Sequence, residues 1–318
     1  MPSFDPPDPV HAASPADDHV GPQQGTGGAP ASKHLTGLYL VGLPIGNARD
    51  ITLRALDVLG AVAVIACEDT RVTAPLLRRY GIATRLTSYH EHNAERARPA
   101  LLRRIAAGEA VALVSDAGMP LVSDPGYKLV RAVLAAGGDV TCVPGASAPL
   151  AALSLSGLPT DRFLFAGFLP PKSAARRTAI QALAAVPATL ILFETAPRLA
   201  AALADLAAVL GDRPAAVARE LTKRFEEVRR GTLAALAQAY AGEARPKGEI
   251  VVVVGPPEAG PPDAADTHRI DAALRAAMAQ SSLRDAVDAV TAATGLPRRD
   301  LYRRALALAA APEDGDGG

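Results

Sequence analysis

Three apolar, strand-like runs in the first half of this chain each break into a Gly/Pro loop, and each loop leads into a helix-like stretch. The loops are Leu43-Pro44-Ile45-Gly46-Asn47, Ser115-Asp116-Ala117-Gly118-Met119-Pro120 and Pro144-Gly145-Ala146-Ser147-Ala148. Strand, loop, helix in repetition predicts an open α/β sheet, whose ligands sit beyond the carboxyl ends of the strands. Glycine lets backbone approach a ligand closely, and proline fixes the shape of the loop. The three loops therefore predict a small-molecule pocket walled largely by backbone. A phosphate cradle is not indicated: no Walker lysine follows a Gly-rich turn, and Gly42 and Gly46 miss the dinucleotide spacing.

A chain of 318 residues, 49% hydrophobic and 21% charged, has room for two domains and a tail. Its net charge is zero, but residues 1–33 and 311–318 carry −3 each, which leaves +6 on the body between them. That body tolerates an anionic partner without requiring one. Cys67 and Cys142 are too few for a disulfide framework. Each sits in an apolar run, so both are expected to be buried and inert. No apolar run approaches the ~20 residues of a membrane span. The N-terminus lacks the order of a signal peptide. A reducing, cytoplasmic setting without membrane association is the expectation.

Residues 1–34 are rich in Pro, Asp, Gly and Ala and read as disordered. The next unit, 35–157, alternates strand-like runs at Leu38–Val41, Val62–Cys67, Arg85–Tyr89, Ala110–Ser115 and Val140–Val143 with helical stretches such as Ala94–Ala107 and Pro125–Ala136. This alternation predicts a mostly parallel sheet. A second α/β unit, 158–256, has strand-like runs at Phe163–Phe168, Thr189–Phe193, Ala215–Glu220 and Ile250–Val254, with helices between them. Residues 257–267 read as a linker. Three helices follow within 268–310, the second capped by Ser282, and then an acidic tail over 311–318. The fold class expected is two α/β domains and a small helical appendage.

Polar residues crowd the predicted strand ends: Glu68-Asp69-Thr70-Arg71, Ser88-Tyr89-His90-Glu91-His92-Asn93, Ser115-Asp116 and Glu220-Leu221-Thr222-Lys223. In an α/β sheet such ends face one crevice. Asp69 or Thr70 can cap the helix through Leu77 and Asn93 the next, with Thr70 and Asn93 better read as caps than as ligands, whereas Asp116, inside its Gly/Pro loop, is better read as a ligand-facing group. The His90/His92 pair lacks the further ligands a metal site needs, and no serine occupies a nucleophile elbow. Basic residues cluster at Arg96–Arg104, at Lys172, Arg176 and Arg177, at Lys223, Arg224, Arg229 and Arg230, and at Arg298–Arg304. One such cluster is an ordinary solvated face, but four make a phosphate-rich ligand credible. Scarce aromatics argue against a base-stacking platform.

From Leu38 to Pro256, about two thirds of the chain, these residues resemble the tetrapyrrole methylase superfamily, and within it the branch that methylates small-subunit ribosomal RNA. The resemblance is carried, in order, by Pro44-Ile45-Gly46-Asn47, Ala66–Arg71, Ser88–Asn93, Ser115–Gly126, Pro144–Ala148, Ser156–Pro159, Gly167–Pro170 and Arg219–Lys223. Met119 stands where Thr is commoner, and Phe193–Arg198 lacks the His that usually precedes its Arg. The resemblance implies a tetrapyrrole methylase type fold with S-adenosylmethionine bound in a cleft between the two α/β domains, a homodimer, and 2′-O-methylation of a cytidine in the decoding centre of 16S rRNA within the small ribosomal subunit. It assigns cofactor contacts to Pro44, Asp116, Met119, Ser147, Ala148 and Phe168. A ribose hydroxyl must lose its proton; His90, Glu68, Asp69 and Glu220 are the candidate bases, and alignment with proton loss to water is the alternative. Lys223 would join them only if burial lowered its pKa. The cations read as phosphate contacts are Arg71, Lys223, Arg224 and Lys172. Two other readings stand beside this one, a tetrapyrrole methyltransferase of the same fold and a non-catalytic RNA-binding protein.

Overall fold

The computed structural model describes residues 35–123, 126–257, 264–294 and 296–310. The N-terminal extension, most of the expected linker, Asp124-Pro125 and the acidic tail lie outside them.

The first sheet is built from β1 (Gly37–Val41), β2 (Val64–Cys67), β3 (Leu86–Ser88), β4 (Ala110–Leu113) and β5 (Val140–Val143), in the order β3-β2-β4-β1-β5. Every pairing in it is parallel. The helices between the strands are α1 (Leu53–Ala61), α2 (Thr70–Arg79), α3 (Ala94–Ala106) and α4 (Tyr127–Ala135). Both central strands, VIAC and AVAL, are buried at every position, as a sheet covered on two faces requires. Their period-2 alternation sends Ile65, Cys67 and Ala112 against α1 and α2, and Val64, Ala66, Val111 and Leu113 against Leu101 and Leu129 of α3 and α4. Caps set the helix starts: Thr52 accepts the Ala55 N–H for α1, and Asp69 accepts the Arg71 N–H for α2.

The second sheet comprises β6 (Phe163–Phe168), β7 (Thr189–Thr195), β8 (Pro214–Arg219), β9 (Glu227–Thr232) and β10 (Glu249–Val254), in the order β6-β7-β10-β8-β9. Only β6 and β7 run parallel; the other pairings are antiparallel. One face carries α6 (Ser173–Leu183), α7 (Leu199–Leu210) and α8 (Leu233–Gly242) over a core of Ile180, Leu203, Leu206 and Leu236. The other face receives α5 (Ala148–Ser156), whose Ala152 and Leu153 pack on Ile191, Ala216, Val251 and Val253 together with Ile45. The helix that ends the first unit thus packs on the sheet of the second.

Several sequence expectations are corrected. Strand β9 was missed because Glu-Val-Arg-Arg-Gly-Thr is a charged edge strand without an apolar run. Asp69, not Thr70, caps α2. Asn93 stands at the start of α3 without capping it: its side chain accepts the His90 N–H and donates to the Ser88 carbonyl. Cys67 is buried as expected, but Cys142 is exposed, on β5 at the edge of the sheet. The C-terminal helices are α9 (Ala264–Met278), α10 (Leu283–Thr294) and α11 (Arg298–Ala310), so the helical region begins inside the expected linker. Ser282 does cap α10, accepting the Asp285 N–H at 3.3 Å. Leu274, Val287, Val290 and Leu301 form the core of these helices.

Candidate active site

The three strand-end loops of the first sheet pack backbone against backbone. Leu43 and Gly118 exchange both main-chain hydrogen bonds, at 2.9 and 3.1 Å. A Cβ at Gly42 would lie 2.8 Å from the Gly145 amide and 2.6 Å from Met119 Sδ, so only glycine fits where these loops cross. Ser115 ties off the second loop by donating to the Ala117 carbonyl at 2.9 Å.

Between these loops and the second sheet lies a cavity of about 460 Å³, a size ordinary for small-molecule sites. Asp116, Met119, Ser147 and Ala148 line it from the first-sheet side, and Phe168 from the second. Five of the six residues assigned to the cofactor thus share one cavity. Pro44 is buried in its loop and does not line it; its neighbour Ile45 does. The rings of Phe168 and Phe193 lie 5.4 Å apart, forming an apolar wall.

The candidate bases stand outside this wall in two groups. Glu68, Asp69 and His90 follow β2 and β3 next to Asp116, whose Oδ1 accepts the Asp69 N–H at 3.0 Å. Asp116 therefore belongs both to the cavity and to the polar cluster beside it. Burial, then the nearby Asp116 charge, pushes the Glu68 carboxyl above the usual glutamate range despite an opposing effect of His90. Asp69 goes the other way. Hydrogen bonds from the Arg71 side chain and amide hold it at about 2. His90 keeps a buried Nδ1 without a partner, and its ring meets that of His92 edge-on at 6.0 Å. Among the described residues no group of three His, Cys, Asp or Glu side chains could hold a metal.

Glu220 lies on the second-sheet side, hydrogen-bonded to Lys223 Nζ at 2.8 Å, which lowers its carboxyl pKa. Burial alone would lower the Lys223 ammonium. Its hydrogen bonds to Glu220 and Glu249 outweigh that and raise it, so Lys223 is not the depressed base its position in the sequence allowed.

The basic clusters divide sharply. Arg176 is core: its guanidinium meets Asp205 at 2.7 Å with both side chains nearly buried. Arg229 is held by Glu227 and Glu243, and Arg230 by the Leu155 carbonyl. Arg298, Arg303 and Arg304 pair with Asp288, Asp300 and Asp271. Of the proposed phosphate contacts, Lys172 is exposed at the start of α6, Arg71 is exposed although bonded to Asp69, and Arg224 lies over the exposed Phe225 ring at 5.5 Å.

Sequence reasoning missed the polar residues that line the cavity from the second sheet. Glu194, only 4% exposed, has Oε1 bonded to the Thr195 N–H at 2.7 Å and Oε2 buried without a partner. Glu249 lines the rim. The unusual Phe193–Arg198 segment was the one signal present, and it was read as a departure rather than as a wall.

Residues 37–237 match the Tetrapyrrole (Corrin/Porphyrin) Methylases, and residues 263–309 match the RsmI C-terminal HTH domain. The chain is 54% identical to the "Ribosomal RNA small subunit methyltransferase I" of Mesorhizobium japonicum, covering 91% of this chain and 98% of the relative. It is 45% identical to the protein of the same name from Escherichia coli O157:H7, covering 85% and 94%. A solved diphthine synthase superposes with a TM-score of 0.54 at 20% identity, over 69% of this chain and 89% of that one, which is a likeness of fold.

Proposed function

The chain belongs to the tetrapyrrole methylase family, among the small-subunit rRNA methyltransferase I proteins, and from that membership we propose that it moves a methyl group from S-adenosylmethionine to the ribose 2′-hydroxyl of a cytidine in the decoding centre of 16S rRNA. The observation that carries the reading is Asp116, whose carboxylate lines the cavity while bonding the polar cluster at the ends of β2 and β3. Cofactor pocket and acceptor surface thereby share one residue.

The pocket residues suit the cofactor. Asp116 is an acceptor for a cationic, donor-rich ligand, and Phe168 and Phe193 give it an apolar wall. When bound, S-adenosylmethionine supplies a methyl on a good leaving group, so the protein has mainly to align the hydroxyl and exclude water. The loop amides and Asp116 fix position. Glu68, with its raised pKa, and His90 are the bases the geometry favours for the hydroxyl proton. Asp69 and Glu220 are each held by a cation. Lys172, Arg71 and Arg224 offer contacts to phosphates. We further propose action as a cytoplasmic homodimer, with the units 35–157 and 158–256 flanking the cleft and the C-terminal helices contributing to RNA.

The test is labelled-methyl incorporation. Assembled small subunits should be methylated far better than a short oligonucleotide carrying the target, because a structured substrate supplies shape and phosphate contacts that offset unstacking the nucleotide. Deleting residues 263–318 should lower RNA turnover and spare cofactor binding. Preferential methylation of a tetrapyrrole would overturn the reading.

A further inference from the structure

The loop after β1 and the turn after β8 meet with unusual closeness. The Asn47 N–H donates to Thr222 Oγ1 at 2.9 Å across 175 residues of sequence. A Cβ on Gly46 would fall 2.5 Å from Lys223 Cγ, 2.8 Å from Thr222 Oγ1 and 2.9 Å from the Leu221 carbonyl oxygen. The turn itself is strained, with Glu220 at φ 51° and Thr222 at φ 63°, left-handed conformations that a β-branched residue rarely adopts. Strain of this kind persists only where the surroundings over-determine it. Here the bracing is visible. Glu220 Oε1 accepts from Lys223 Nζ at 2.8 Å and from the Glu249 N–H at 3.1 Å, and the Thr222 N–H donates to Glu226 Oε2 at 2.6 Å. A side chain at Gly248 would run into the Glu220 carboxylate. Leu221, Gly248 and Glu249, all part of this arrangement, line the cavity, as does Ile45 from the opposing loop.

We propose that the Glu220–Lys223 turn is a clamp that sets the gap between the two sheets, with Thr222 as its positioning residue and Lys223 as an internal brace rather than an RNA contact. The proposal rests on the cofactor reading of the cavity, because a fixed gap matters to a ligand held from both sides. On this account neither Glu220 nor Lys223 meets the substrate.

Four variants test it: Thr222→Val, Thr222→Ser, Gly46→Ala and Lys223→Gln. Thr222→Val should speed amide hydrogen exchange across 45–47 in the ligand-free protein and weaken S-adenosylhomocysteine binding about fivefold, the worth of one hydrogen bond. Thr222→Ser should restore both. Gly46→Ala, by wedging the contact apart, should weaken binding at least as much. Lys223→Gln should weaken S-adenosylhomocysteine binding and leave the salt dependence of RNA binding unchanged. Unaltered exchange at 45–47 in Thr222→Val overturns the clamp. So does a Lys223→Gln protein that binds S-adenosylhomocysteine normally and loses about one phosphate's worth of salt dependence. Failure of the wild-type protein to bind S-adenosylhomocysteine would reject the cofactor reading, while the exchange measurement still judges the clamp.

Discussion

The two walls of the cavity are made by different means. On the first-sheet side the strands are parallel, every loop leaves a carboxyl end, and the wall is mostly backbone closed over glycines. On the second-sheet side β10 runs antiparallel to β7 and β8, so its amino end stands at the crevice beside their carboxyl ends. Side chains make that wall: Phe168, Phe193, Glu194 and Glu249. A parallel sheet dictates where a ligand goes, whereas a mixed sheet leaves the choice to individual residues.

The largest expected effect lies on the first-sheet side. Glu68→Gln should slow methyl transfer by about 10²–10⁴-fold if Glu68 takes the proton. Because its folded-state pKa is raised, the wild-type rate should fall as pH drops through that elevated value, and the variant should lose this limb of the profile. The sign for stability is opposite. The folded state disfavours ionised Glu68, so the variant should melt slightly higher at pH 7, as read by thermal unfolding. A variant with wild-type rates at every pH would take Glu68 out of the proton transfer.

On the second-sheet side the comparable break is in the framework. Arg176→Met strands a nearly buried Asp205 and should cost about 3–5 kcal/mol in denaturant unfolding. Lys172, four residues earlier, should cost almost nothing.

That pair shows what the sequence made legible. A basic cluster on α6 is visible from composition, but only packing separates a core guanidinium from a free ammonium. Strands β1 to β5 and their loops were legible because apolar runs and Gly/Pro punctuation are local signals. The charged edge strand β9 and the amino end of β10 were not, since their roles come from partners far away in sequence. Asp116 could be placed by its loop, whereas Glu194 had only the unusual Phe193–Arg198 segment to mark it.

A smaller effect separates the walls more finely. Asp116→Ala should weaken S-adenosylhomocysteine binding by about 1–3 kcal/mol in calorimetry, the worth of the hydrogen bond proposed between its cavity-lining side chain and the cofactor. The same affinity in the variant would take Asp116 out of the site. Smallest of all, Lys172→Gln should reduce the salt slope of RNA binding by about one phosphate contact and leave cofactor affinity unchanged.

The position of the transferred methyl tests most directly whether this crevice brings cofactor and ribose together. Small subunits methylated by the purified protein with labelled S-adenosylmethionine can be probed for resistance to alkaline cleavage next to the label. A single resistant linkage, 3′ to a cytidine in the decoding centre, is the result predicted. Label on a base, with every linkage still cleavable, would contradict it.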